Sequence, residues 1–171
     1  MQKRWKIKET DSQTVKDLAE SLGVSNSIAQ LLVLRGINTF DAAKQFFRPD
    51  FSQFHNPFLM KDMQKAVDRI QTAIENNEKI LVYGDYDVDG SCATTLLIKF
   101  LKSINHPYFY YIPDREKDGY GPSPKVLSKL IDNKPKLVIM VDCGSNSKES
   151  IDYLNSKKIK TLIIDHHQIF K

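Results

Sequence analysis

The stretch Lys79-Ile-Leu-Val-Tyr-Gly-Asp-Tyr-Asp-Val-Asp-Gly90 decides how this chain is read. Ile80 to Tyr83 is a short unbroken apolar run, the pattern of a strand buried on both faces. Gly84 ends it. Three carboxylates follow at alternate positions, Asp85, Asp87 and Asp89, closed by Gly90. Acids this close repel one another, and a fold tolerates that where a cation or a set of hydrogen-bond donors sits among them. Clusters of oxygen ligands suit hard divalent ions such as Mg²⁺ or Mn²⁺.

From Lys79 onward the pattern is regular. A helix is expected over 91–103, then a strand over 108–112 and a loop over 113–122. A helix over 123–132 leads to a strand over 137–141, and a helix over 147–156 to a strand over 161–164. Strands alternating with helices through short loops predict an α/β fold, a mostly parallel sheet with helices on both faces. Right-handed crossovers point parallel strands the same way, and open α/β sheets bind ligands beyond the carboxyl ends of their strands. Three of the four expected strands run straight into ionisable groups: Asp85, Asp87 and Asp89 after the first, Asp142 after the third, Asp165-His166-His167 after the fourth. These groups are therefore expected to meet at one edge of the sheet.

The same residues admit other readings. Asp-x-Asp-x-Asp-Gly also opens an EF-hand loop, but that loop needs a Glu at its twelfth position, where this chain has Leu96, and an upstream helix in place of a strand. A strand followed by Asp-x-Asp also occurs in aspartyl-phosphate phosphatases, where the first Asp is a nucleophile; that chemistry has no use for Asp-His-His. Asp165 alone is equally an N-cap followed by polar loop residues. Beside the other acids, a metal-ligating His is the sharper reading, with the neighbouring His free to meet a phosphate or handle a proton. Arg115 and Lys117 lie in a loop where they can meet phosphates or water, and Gly119-Tyr-Gly-Pro-Ser123 is either a helix-start turn or an anion cradle.

The amino-terminal third reads differently. Trp5 and Ile7 alternate in a basic segment that suggests an extended arm. Helices are expected over 12–22, 26–35 and 40–47, with Asp11 or Ser12, Ser25 and Thr39 as caps. Leu18-Ala-Glu-Ser-Leu-Gly-Val-Ser25 looks like half of a helix-turn-helix. The helix that would read DNA carries Ile28, Ala29, Leu31, Leu32, Val33 and Leu34, so it is expected to be buried. Residues 48–61 are expected to form a connector packed down by Phe51, Phe54 and Phe58, with His55 structural. Asp62 is expected to cap a helix over 63–76.

Bulk properties set the frame. At 171 residues with 41% apolar content, the chain has room for one domain and a small appendage. Lys+Arg 25 against Asp+Glu 21 gives +4, which permits a polyanionic partner without demanding one. Cys92 and Cys143 form no CxxC pair and are expected to be buried, reduced thiols. No apolar run approaches the ~18 residues of a membrane span, and the first residues lack a signal-peptide core. The expectation is a cytoplasmic protein.

Taken in order, Gly84-Asp-Tyr-Asp-Val-Asp-Gly90, Val141-Asp-Cys-Gly144 and Asp165-His-His167 resemble the first three motifs of the DHH phosphoesterase family. Pro57-Phe-Leu-Met-Lys-Asp-Met63, Ile112-Pro-Asp-Arg115 and Asp118-Gly-Tyr-Gly121 resemble its RecJ branch, the single-strand-specific exonucleases. The resemblance implies a two-metal phosphodiesterase that uses Mn²⁺ or Mg²⁺ and degrades single-stranded DNA from the 5′ end in recombination and repair. It implies metal ligands at Asp87, Asp89, Asp142 and His166, with Asp142 bridging and Asp85 a further candidate. It implies catalytic roles for His167 and Asp165, and nucleic-acid contacts at Arg115, Tyr120 and Gly121. Relatives with a pyrophosphatase-like activity carry a His near the position of Tyr83, which this chain lacks. Implied partners are single-stranded DNA, a single-strand-binding protein and a repair helicase. The family also has a fourth motif with a further Asp, a DHH-associated domain and, in RecJ, an oligonucleotide-binding fold. None of these follows His167 here, so the chain is expected to be an amino-terminal piece: a helical region 1–61 packed on a DHH domain over 62–171, cut before its fourth motif. Such a piece is expected to keep the fold but to bind metal weakly and to cleave poorly or not at all. Two other functions fit: a DHH phosphoesterase acting on short oligonucleotides or cyclic dinucleotides, and a non-catalytic nucleic-acid-binding module whose acids are structural.

Overall fold

The computed structural model describes Arg4, Lys6 and residues 8–169. Trp5 and Ile7, whose alternation suggested an extended arm, lie outside the described residues. The chain divides into two compact units, Met1–Leu59 and Met60–Lys171.

The first unit contains α1 (Ser12–Leu22), α2 (Asn26–Val33) and α3 (Phe40–Phe47). Each begins where a short polar side chain satisfies an orphan backbone N–H: Asp11 accepts from Thr14 at 2.7 Å, Ser25 from Ile28, and Thr39 from Ala42. Val15, Leu18 and Ala19 of α1 pack on Ala29 and Leu32 of α2. Two expectations fail here. Helix α2 is not buried all round, because Ile28 and Leu31 are 45% and 54% exposed; α1 is narrow enough to cover only one stripe. The connector does not pack down either. It forms two 3₁₀ turns, Phe51–Gln53 and Pro57–Leu59, the first closed by an Asp50 capping box. That local hydrogen bonding leaves Phe51 and Phe54 exposed and stacked edge-to-face on each other at 5.5 Å.

The second unit is built on four parallel strands, β1 (Ile80–Tyr83), β2 (Tyr108–Tyr111), β3 (Leu137–Val141) and β4 (Lys160–Ile164), in the order β2-β1-β3-β4. Every residue of β1 and β3 is buried, and each such aliphatic side chain contributes about 1.5–3 kcal/mol relative to exposure. One face carries α4 (Met63–Glu75) and α5 (Val88–Ser103), whose Ala73 and Leu101 meet Ile80, Val82, Leu137 and Ile139. The other carries α6 (Pro124–Leu130) and α7 (Lys148–Ser156), whose Leu127 and Leu154 meet Leu81, Tyr83, Val138 and Met140. From β1 the chain crosses to β2 on one side, and from β3 it crosses to β4 on the other. The reversal falls between β1 and β3, where this architecture opens a crevice at the carboxyl ends.

Three local expectations need correction. Asp62 does not cap α4: it sits at φ 59°, and its carboxylate pairs with Lys65 at 2.7 Å. Helix α5 begins at Val88, a turn earlier than the residue pattern suggests, because the Asp87 side chain accepts from Gly90 N–H at 2.9 Å and starts the helix inside the acidic motif. Cys143 is buried, but Cys92 is exposed on α5. Among the described residues no helix is long and apolar enough to cross a membrane.

Candidate metal centre

Strand β1 delivers Asp85 to the crevice as a buried residue, 2% exposed, its carboxylate accepting from Tyr86 N–H at 2.8 Å. Asp87 is the α5 cap and Asp89 lies in the first turn. The helix comes this close because residue 90 is glycine: a Cβ there would lie 2.6 Å from Asp85 Cβ and 2.7 Å from Asp85 Cα. Strand β3 ends at Asp142, which adopts a left-handed φ of 58° while its N–H still donates to Ile164 O at 2.8 Å. The turn sends the Cys143 side chain back into the core and leaves the Asp142 carboxylate at the sheet edge.

Strand β4 supplies the third part. The Asp165 carboxylate, 2% exposed, accepts from Ser145 N–H at 3.1 Å, from His167 N–H at 3.1 Å and from His167 Nδ1 at 2.6 Å. It both pins the β3 loop and orients an imidazole. Burial alone would raise this carboxyl, but the hydrogen bonds from His167 and Ser145 outweigh it and hold it far below the usual carboxylate range. The same bond from Asp165 raises the His167 pKa. His166 lies alongside it, the two ring centroids 4.7 Å apart, with its Nε2 3.2 Å from Asp142 Oδ1 and its ring mostly exposed.

Two sets of potential ligand atoms result, each gathered within 4.8 Å: Asp85, Asp87 and Asp142, and Asp142, His166 and His167. Asp142 belongs to both. Its carboxyl is raised first by burial and then by Asp87, with His166 and His167 acting in the opposite direction. Its second oxygen, Oδ2, is buried without a hydrogen-bond partner among the described residues. Such an orphan is costly unless a cation or proton meets it, so the donor set fits a hard divalent ion. Asp89 falls in neither set, although it faces the same cleft as Asp142, Asp165 and His166.

The remaining sequence candidates lie beside this cluster. Arg115 stacks over the Tyr86 ring at 5.6 Å, the Tyr120 ring meets Tyr86 edge-on at 6.3 Å, and Tyr120 Oη lies 3.5 Å from His167 Nε2. Gly121 offers its carbonyl to Tyr83 Oη at 3.1 Å. The start of α6 is capped by Ser123, so that turn is an ordinary helix start. Sequence reading missed the Ser145 N–H, which carries no residue signature, and the tyrosine hydroxyls of β1 and β2. For Tyr83 a signal existed: a phenol in a doubly buried strand needs a partner.

A family model described as the DHH family, N-terminal domain, matches residues 79–171. The chain belongs to the DHH family. Among curated DHH proteins, it is 37% identical over 165 residues to the single-stranded-DNA-specific exonuclease RecJ of Bacillus subtilis, covering 96% of this chain and 21% of that protein. It is 31% identical over 109 residues to RecJ of Escherichia coli, covering 63% of this chain and 19% of that protein. The chain thus spans about a fifth of the length of these relatives. A crystal structure of exonuclease RecJ bound to manganese superposes with a TM-score of 0.62 at 27% identity, over 66% of this chain and 29% of that one. RecJ from Thermus thermophilus with Mn²⁺ shares the fold, with a TM-score of 0.61 at 21% identity over 93% of this chain and 22% of that one.

Proposed function

We propose that this protein is a metal-dependent, single-strand-specific exodeoxyribonuclease acting 5′→3′ in recombination and repair, and that residues 62–171 supply the first three of its metal-binding motifs. The observation that carries the reading is Asp142, one carboxylate common to two ligand sets at the sheet's switch point. The RecJ relatives that share this segment, one of them solved with manganese, support it.

In this reading Asp85, Asp87, Asp142 and His166 are the residues that would hold Mn²⁺ or Mg²⁺. Asp89 completes the acidic lining. Paired divalent ions in such a site polarise a phosphodiester and lower the pKa of water. The chain's own residues orient and hold protons. Asp165 ties down His167 Nδ1, so Nε2 is the atom left to meet a phosphate oxygen. Tyr86 and Tyr120 offer ring faces to unstacked bases, and Arg115 and Lys117 offer charge to the backbone. The shared segment is 21% of the Bacillus subtilis relative, which leaves room in a parent chain for a fourth ligand and a second lobe. A single-strand-binding protein and a helicase as partners, and a cytoplasmic site of action, follow from the same reading.

The test presents the full parent chain with 5′- and 3′-labelled single strands, the matching duplex and a cyclic dinucleotide in Mn²⁺. The expected result is stepwise shortening of the single strand from its 5′ end, abolished by chelation and by Asp142→Ala. Preference for the dinucleotide would make it another kind of DHH phosphoesterase. DNA binding without cleavage, indifferent to chelator and to Asp142→Ala, would make it a non-catalytic module.

A further inference from the structure

Tyr83 and Tyr111 are register partners on β1 and β2, with ring centroids 5.6 Å apart. Apolar packing alone asks nothing of a phenol that phenylalanine would not supply, and a buried hydroxyl is costly without a partner. Both hydroxyls reach one loop. Tyr83 Oη donates to Gly121 O at 3.1 Å, and Tyr111 Oη donates to Asp118 Oδ2 at 2.6 Å. That same Asp118 oxygen accepts from Asp114 N–H at 3.0 Å, and Asp118 N–H donates to Asp114 O at 2.8 Å. On the far side, Ser150 Oγ donates to Pro122 O at 2.8 Å. Between these anchors the loop presents Arg115, stacked on Tyr86, and Tyr120, 60% exposed and beside His167.

We propose that the Tyr83 and Tyr111 hydroxyls, the latter through Asp118, are positioning groups that hold loop 113–122 so that Arg115 and Tyr120 stand beside the acidic cluster and set affinity for the single strand. The inference rests on the nuclease reading. Neither tyrosine touches the reacting atoms, so loosening the loop weakens capture of the strand more than it slows the chemical step. A hydrogen bond to a charged partner is strong enough that its loss raises KM by about 10-fold.

The test measures KM and kcat of the full parent chain on a single-stranded oligonucleotide in Mn²⁺, alongside amide hydrogen exchange. The variants are Tyr111→Phe, Asp118→Asn, Tyr83→Phe, Arg115→Ala and the Arg115→Ala/Asp118→Asn pair. Expected are a KM raised about 10-fold in Tyr111→Phe and Asp118→Asn, kcat within about twofold, and faster exchange at 114–121 with β1 unchanged. Adding Arg115→Ala to Asp118→Asn should then do little more than either alone. An unchanged KM, a loss confined to kcat, or fully multiplicative effects in the pair would overturn the proposal. Should Tyr83→Phe fail to fold, the half-buried Tyr111 and the surface Asp118 still decide. If the unsubstituted protein cleaves nothing, the nuclease reading falls by itself. Oligonucleotide affinity by anisotropy and exchange at 114–121 then judge the latch: affinity and exchange unchanged by Asp118→Asn would refute it, and a joint loss would uphold it.

Discussion

Gly90→Ala sets two effects of known sign against each other. Alanine in a helix is favoured over glycine by about 1 kcal/mol, and Gly90 lies inside α5. The added methyl, however, would stand 2.6 Å from Asp85 Cβ and 2.7 Å from Asp85 Cα and N. Ordinary contact begins at 3.4 Å, so the shortfall from the closest atom is 3.4 − 2.6 = 0.8 Å. The obstructing atoms are chiefly backbone at the end of a fully buried strand, which cannot swing aside. Overpacking of this kind costs about 1–3 kcal/mol, and the immobile partner argues for the upper end. The net loss is then about 2 kcal/mol, or a Tm lower by about 4–8 °C for a chain of this size. Differential scanning calorimetry of this chain reads the first consequence directly. The second is that α5 backs away from β1, carrying Asp87 and Asp89 from Asp142, so Mn²⁺ affinity by titration calorimetry falls at least about 10-fold. A Gly90→Ala protein as stable as the original, with unchanged Mn²⁺ affinity, would refute the close approach as the feature that shapes the site.

Three further outcomes are expected. In the full parent chain, Asp142→Ala lowers activity more than Asp85→Ala, Asp87→Ala or Asp89→Ala, because its carboxylate serves both ligand sets; side-by-side turnover with equal losses would contradict this. Mn²⁺ at about 100 times its Kd stabilises by about 2.7 kcal/mol, roughly 5–10 °C in Tm, and both chelation and Asp142→Ala remove the shift in a thermal scan. The Tyr111 pKa is raised from 10.0 to about 12 by the hydrogen bond to Asp118 and then by burial. A raised folded-state pKa means a contribution present below pH 10.0 and lost as pH climbs through about 12; circular dichroism in that window should show a shallower loss in Tyr111→Phe than in the unsubstituted chain.

Much of the fold was legible because strand and helix carry different rhythms. Ile80–Tyr83 and Leu137–Val141 are continuous apolar runs with turn residues on each side, and both appear as strands with the expected bounds. Crossover rules make the strands parallel and so bring Asp85, Asp142 and Asp165 to one edge, whereas the order β2-β1-β3-β4 is seen only in the structure. What escaped the sequence depends on distances between backbones. Helix α5 starts at Val88 because Asp87 spends its side chain on Gly90 N–H, a local choice that a motif full of acids conceals. The aromatic content of 48–61 suggests burial, but a capped 3₁₀ turn pairs the exposed rings of Phe51 and Phe54 instead. Which carboxylates approach within ligand distance, and the role of Asp165 as an anchor for both Ser145 and His167, depend on a left-handed turn at Asp142 that no residue type announces.

The central pairing of β1 with β3 has a consequence for how the protein is made. Ile80 pairs with Leu137 and Tyr83 with Met140, so 57 positions separate partners in the chain. The acids of the first motif leave the ribosome early, but Asp142 and His166 follow only after β2, α6 and β3. At about 5–20 residues per second, several seconds pass with the acidic loop synthesised and its counterparts absent. A cation therefore has nothing to close upon until the non-local pairing has formed, a step that is slow for parallel topologies. Unlike domains that fold around their metal, this topology has no complete ligand set until the apolar sheet has formed. The unbroken apolar faces of β1 and β3 therefore have to hold the acids together on packing alone.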